Sequence, residues 1–230
     1  MKQLKTENFV VEYSEGLENY ATKAVNHAEI KKQQYCKLFN CKSDDIGVLK
    51  ASFFNVRDEF VNHIKKISGG SEPPTWAEGC FYNGEIQAMV RKELESERIN
   101  TLAHETVHLF FNRTIYNKYN IDRVRWLDES FAVYLDGEPN NISTAELKEL
   151  IVKLQPFADG FDMNILNDVN KVHTKEYDGY DMFNVIGKYI FETNQEEHLL
   201  KLLKEDKSKV DTIGTYILQE AINYFEKILK

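Results

Sequence analysis

Apolar positions alternate with period two over short stretches in the first third of the chain and recur at helical spacing over most of the remainder. Phe9 to Tyr13 is a short β-prone run ended by Gly16, and Ile46 to Phe54 is a second. Between them Glu18 to Phe39 reads as a helix, with Tyr20, Ala24, Ala28, Tyr35 and Leu38 on or near one face. Arg57 to Ile67 predicts a further helix closed by Gly69-Gly70, and Ser71 to Thr75, with Pro73-Pro74, predicts a loop. Asn83-Gly84 favours the type I′ turn of a hairpin, so Gly79 to Tyr82 and Glu85 to Val90 are expected to pair as antiparallel strands.

From Ser96 onward the pattern is helical almost to the end. Ile99, Leu102, Ala103, Val107, Phe110 and Phe111 share helical spacing, as do the apolar positions of Trp126 to Leu135, which Gly137 ends. Ser143 with Glu146 forms a capping-box signature for a helix over Thr144 to Leu154. Three more helices are predicted over Tyr180 to Thr193, Gln195 to Lys204 and about Asp211 to Leu229. Strands gather in the first half and helices in the second, which is an α+β arrangement with a small mixed sheet.

Composition narrows the classes. The chain has 230 residues, 42% hydrophobic and 29% charged, with 11 Gly and 4 Pro, so it is neither disordered nor low-complexity. A formal charge of -8, with basic residues interleaved among acids, argues against nucleic acid as a partner. Cys36, Cys41 and Cys80 are too few for a disulfide framework and point to a reducing compartment. No apolar run has the length of a signal or a membrane span, so the expectation is a cytoplasmic protein.

The chemistry concentrates in His104-Glu105-Thr106-Val107-His108. Histidines four apart lie one turn up the same helical face and can reach one metal ion, while Glu105, rotated about 100°, can hold a water beside it. Taken alone, the pair also reads as two histidines on a solvated helix face. Further on, Trp126-Leu127-Asp128-Glu129-Ser130-Phe131-Ala132 places a carboxylate on a second helix after a loop long enough to turn back. A catalytic zinc takes three protein ligands and a water, and His-His-Glu is a known set, so Glu129 fits the third place. The alternative for Glu129 is a surface acid favoured by the helix dipole, although its apolar neighbours make full solvation an uncomfortable fit.

These residues resemble those of the gluzincin metallopeptidases, the superfamily of thermolysin-like, aminopeptidase-type and small peptidase MA-like domains. The Trp-Leu-Asp-Glu-Ser-Phe-Ala stretch is similar to the family's Trp-Leu-x-Glu-Gly-x-Ala, with Ser130 in place of the usual Gly. The resemblance implies a zincin-like fold in two lobes, 1–120 with the sheet and the HExxH helix and 121–230 helical with the third ligand, and a cleft between them. It implies one Zn²⁺ per chain, a peptide or protein substrate, and hydrolysis by a zinc-activated water with Glu105 as general base. It also implies an extended substrate laid along the strand Glu85 to Val90. A donor for the oxyanion is expected beyond the third ligand. Tyr180 is the first choice and Tyr177 and His173 the alternatives, while Asp128 matches an outer-shell position. The Gly-Ala-Met-Glu-Asn-like anchor for a free amino terminus is absent, which favours an endopeptidase or a restricted peptidase.

Two other readings compete. Glu78-Gly79-Cys80 is similar to the peptide-deformylase motif in which a Cys is the third ligand, although the 23 residues between Cys80 and His104 and the unexplained Glu129 speak against it. A zinc-stabilised binding domain without turnover is the other, and the presence of Glu105 weighs against that one.

Overall fold

The structure is a computed structural model of the chain, and it describes every residue except Trp76, Asn83, 92–98, 138–141 and Lys230. It is a mixed α and β protein that divides into two compact units, Met1–Phe110 and Phe111–Lys230. No helix among the described residues is long and apolar enough to cross a membrane.

The first unit is built on a five-stranded sheet of order β1-β2-β3-β5-β4. Its strands are β1 (Lys2–Lys5), β2 (Phe9–Tyr13), β3 (Leu49–Phe54), β4 (Gly79–Tyr82) and β5 (Glu85–Met89). β2, β3 and β5 run parallel, and β1 and β4 close the two edges antiparallel. Parallel neighbours require crossovers, and helices α1 (Glu18–Leu38) and α3 (Arg57–Ser68) provide them. The central strand β3 is buried at five of its six positions, as expected where both faces of a parallel sheet are covered. α1 buries Tyr20, Ala21, Ala24, Val25, Ala28 and Tyr35, with the Tyr20 ring edge-on to Phe53 at 5.2 Å. Phe54, Phe60 and Ile64 form a cluster between β3 and α3, and Val61, Cys80 and Met89 pack against it.

Several boundaries differ from the sequence expectation for local reasons. The strand expected from Ile46 starts at Leu49, because Ser43–Ile46 is a single helical turn, α2, tied back by the Asp45 carboxylate accepting from the Lys42 amide at 2.8 Å. β1 was not expected, since Lys-Gln-Leu-Lys has one apolar residue; pairing with β2 from Lys2↔Tyr13 to Lys5↔Val10 makes the strand. Asn83 of the hairpin turn and the helix start expected at Ser96 lie outside the described residues. Gly84 has φ +81°, the conformation a type I′ turn asks of it. One expectation is corrected by topology: β5, the strand meant to receive an extended substrate, has β3 on one side and β4 on the other. Its backbone groups are paired on both edges, and among the described residues the sheet edge belongs to β4.

Beyond helix α4 (Thr101–Phe111) the chain continues through a π-helical turn (Asn112–Tyr116) and a short α5 (Asn117–Tyr119). The second unit then consists of α6 (Arg125–Asp136), α7 (Thr144–Leu154), three 3₁₀ turns between Gln155 and Lys171, α8 (Gly179–Glu192), α9 (Glu196–Glu205), α10 (Lys207–Gly214) and α11 (Ile217–Ile228). Its centre is the packing of α6 on α8. A side chain at Gly187 would fall well inside contact distance of the Ser130 carbonyl oxygen, so the glycine sets how near the two helices approach. Tyr134 and Phe191 stack across the same pair at 4.2 Å. The capping box of α7 forms as expected, with Ser143 Oγ accepting from the Glu146 amide at 3.2 Å. The single helix expected over Asp211 to Leu229 is two, α10 ending at Gly214 and α11 starting at Ile217; a Cβ at Gly214 would lie 2.8 Å from Trp126 Nε1, so a larger residue has no room there.

Candidate metal centre

α4 carries the two histidines because its apolar positions hold it in the core of the first unit. Leu102, Ala103 and Val107 are fully buried, the Tyr35 hydroxyl donates to the Ala103 carbonyl at 3.4 Å, and Phe110 packs against Tyr35 and Phe39. Thr106, inside the motif, satisfies its own hydroxyl on the Leu102 carbonyl one turn back. With the helix fixed, His104 and His108 bring their Nε2 atoms to 3.2 Å. Two imidazole nitrogens ligating one tetrahedral zinc at its usual bond length stand about 3.3 Å apart, so the pair fits one ion of that size.

Glu105 is buried and lies against β4. A Cβ on Gly79 would stand 2.5 Å from Glu105 Oε1, so it is the lack of a side chain at Gly79 that admits the carboxylate beside the edge strand. Arg57 braces the approach to β4 by donating to the carbonyls of Ala77 and Pro74.

In the second unit, Trp126, Leu127, Phe131, Ala132 and Val133 sink α6 into the core and take Asp128 and Glu129 with them, to 1% and 5% exposure. Two adjacent buried carboxylates need partners. Arg123 grips Asp128 with Nε at 2.6 Å and Nη2 at 2.7 Å, and the same Nη2 reaches Glu129 Oε1 at 2.9 Å. Arg125 Nη1 donates to the same Oε1 at 3.2 Å. The Tyr116 hydroxyl, at the end of the π turn, adds a bond to Asp128 Oδ2 at 3.2 Å. Burial, and then the charge of Asp128, holds that phenol well above the usual tyrosine range, so it stays a donor. Burial opposes the Arg123 charge, but Asp128 and Glu129 outweigh it and keep the guanidinium protonated. Ser130 places its hydroxyl on the Trp126 carbonyl at 2.6 Å and so costs no unpaired polar group.

One ligand atom from each of His104, His108 and Glu129 lies within 4.8 Å of the others, and among the described residues this is the one such group of His, Cys, Asp or Glu. Cys80 is not part of it. Its thiol donates to Gln87 Oε1 at 3.4 Å on the side of the Phe54 cluster, and burial, with the nearby Glu105 charge adding, pushes it up to about 12. That removes the geometric basis of a deformylase-like ligand set.

Of the three candidate donors, Tyr180 comes nearest the carboxylate, with its hydroxyl 3.4 Å from Glu129 Oε2. It sits in the first turn of α8, whose N-cap Asp178 accepts from the Tyr180 amide at 2.9 Å. His173 stacks on the Tyr180 ring at 5.5 Å and pairs with Asp178 through Nδ1 at 3.0 Å. Tyr177 lies in an aromatic trio with Phe157 and Phe161. Arg123, Arg125, Tyr116 and Gly79 escaped the sequence reading. Arg125 had a signal, being four residues before Glu129 on one helix face, where opposite charges meet. Arg123, Tyr116 and Gly79 had none, since their partners are set by turns and by packing.

No protein-family model and no curated protein matches the chain.

Proposed function

We propose that the protein is a zinc-dependent metallopeptidase of the gluzincin type, cytoplasmic and acting on extended peptide segments. The observation that supports it most is the gathering of ligand atoms from His104, His108 and Glu129 within 4.8 Å, on a helix that also carries a buried Glu105. Three protein ligands of this kind leave a further position open, the requirement of a catalytic rather than a structural site.

Zinc, when bound, supplies Lewis acidity and lowers the pKa of water toward about 7. Glu105 takes the proton of the attacking water and delivers it to the leaving amine. The Tyr180 hydroxyl donates to the carbonyl oxygen as negative charge develops on it. An extended substrate adds to the edge of β4, next to Gly79 and therefore next to Glu105, in place of β5.

The test combines metal analysis with cleavage of a mixed peptide pool. The expected result is one zinc per chain, lost in His108→Ala, and cleavage that Glu105→Gln reduces by about two to four orders of magnitude with zinc retained. Stoichiometric zinc without cleavage of any peptide would favour a metal-stabilised binding domain. Full zinc occupancy in Glu129→Ala would overturn the ligand set.

A further inference from the structure

Helix α1 ends in two nested backbone bonds. The Cys41 amide donates to the Cys36 carbonyl at 3.0 Å and the Asn40 amide to the Lys37 carbonyl at 3.2 Å, while Asn40 takes φ +51°. This is the Schellman closure of a helix, with Phe39 as C-cap and Asn40 as the left-handed residue after it. The side chains that characteristically meet across such a closure belong to the two residues joined by the outer bond, and here both are cysteines.

The outer bond also limits how far apart they stand. A carbonyl oxygen lies about 2.4 Å from its own Cα and an amide nitrogen about 1.5 Å from its own. Laid end to end through the 3.0 Å bond, these keep the two Cα atoms less than about 7 Å apart, the separation within which a disulfide closes without backbone movement. Cys36 and Cys41 are thiols, and both residues are partly exposed, so a solute reaches them. The third thiol, Cys80, packs against the Phe54 cluster, and burial pushes it up to about 12, so it supplies little thiolate. The turn is also a support: Tyr35 and Phe39, beside and between the two cysteines, pack on Phe110 of α4 with ring centres at 5.6 and 5.5 Å.

We propose that Cys36 and Cys41 form a site of reversible oxidation, closed into one intramolecular bridge by a small-molecule disulfide of the glutathione class. One cysteine thiolate attacks a sulfur of the oxidant RSSR, forming a mixed disulfide and expelling RS⁻. The second thiolate attacks the protein sulfur of that mixed disulfide, forming the bridge and expelling the other RS⁻. The two protons given up by the cysteines pass to the two RS⁻, so dithiol and RSSR become bridge and two RSH, with two electrons moved to the oxidant. In a reducing compartment the pair rests as thiols and closes when the poise shifts. Closure pins the turn that carries the two rings under α4.

The second step is intramolecular, at an effective concentration of about millimolar order or above, so the mixed disulfide does not accumulate. The experiment treats the whole protein with glutathione disulfide, alkylates the remaining thiols and reads intact mass and tryptic peptides. Trypsin cuts after Lys32, Lys37 and Lys42, so peptides 33–37 and 38–42 each carry one cysteine and part unless bridged. The expected product is lighter by two hydrogens, has these peptides joined, and returns to the dithiol with dithiothreitol. Cys36→Ser is expected to stop at a glutathione adduct on Cys41, at a level at least about tenfold above any adduct in the parent, because no second thiol resolves it. Glutathione adducts on both cysteines without joined peptides, a bridge to Cys80, or no reaction at either cysteine overturns the proposal.

Discussion

Replacing Gly79 by Ala separates the placement of Glu105 from the stability of the fold. The new methyl carbon would start 2.5 Å from Glu105 Oε1 and 3.2 Å from its Cδ, where ordinary contact begins at 3.4 Å, so the carboxylate must retreat by about 0.9 Å. Glu105 can retreat, because the atom in conflict is the far end of a flexible side chain. Gly79 does not have positive φ, so alanine adopts its backbone without strain, and a strand gains from losing the flexibility of glycine. Stability should therefore change by less than about 1 kcal/mol. Turnover should not be spared, because a displacement near 1 Å of a group that must meet a reacting proton costs about 100-fold. The assay is kcat/KM on a cleaved fluorogenic peptide, with urea unfolding and zinc content measured on the same preparation. Turnover within threefold of the parent, in a folded zinc-loaded variant, would refute the placement of Glu105 against β4 as the working geometry. A parallel fall in stability and turnover would refute the argument that only the side chain yields.

Three further outcomes are expected. Tyr180→Phe should lower kcat about 100-fold at constant zinc content, as for loss of one oxyanion donor; loss of zinc instead would assign the hydroxyl to holding Glu129. Gly187→Ala should destabilise, because the obstacle is the Ser130 backbone carbonyl, which cannot swing aside. An overpacking cost of about 3 kcal/mol exceeds the roughly 1 kcal/mol alanine gains in a helix, so Tm should fall by about 4 to 8 °C, and an unchanged Tm would count against the close helix crossing. The Cys80 thiol, raised by burial from an ordinary 9.0 to about 12, stays protonated in the folded chain where the unfolded chain releases its proton. Its contribution to stability is present below pH 9 and lost as pH rises toward 12, so Cys80→Ala should flatten the alkaline fall in urea midpoint, and an unaltered slope would show the thiol to be solvated.

What the sequence made legible follows from the range of the interactions concerned. β2, α1, α3, α6 and α7 are specified by periodicity, caps and glycine stops that lie inside each segment, so their bounds come out within a residue or two. β1 has no such signal, and its strand exists because β2 offers a partner. The break between α10 and α11, from Gly214 to Ile217, interrupts an apolar period that the sequence carries straight through. At the site, helical spacing alone puts His104, Glu105 and His108 on neighbouring faces, while Glu129 came from the separate Trp-Leu-Asp-Glu stretch on a second helix. The arginine clamp depends on where a loop delivers Arg123. Which strand forms the sheet edge depends on a crossover, and the hairpin sequence is equally consistent with either of its strands lying outermost.

The two borders of the sheet are made differently. β1 is bracketed by Lys2 and Lys5, with Lys2 paired to Glu18 at 2.6 Å, and such lysines discourage edge-to-edge pairing. β4, Gly79-Cys80-Phe81-Tyr82, carries no charge at all. On the proposed reading that β4 receives an extended substrate, the same uncharged strand would also admit the extended backbone of a second molecule, so concentrated protein is expected to begin to aggregate there. A short peptide occupying β4 is then expected to act as inhibitor and as solubilising additive at once.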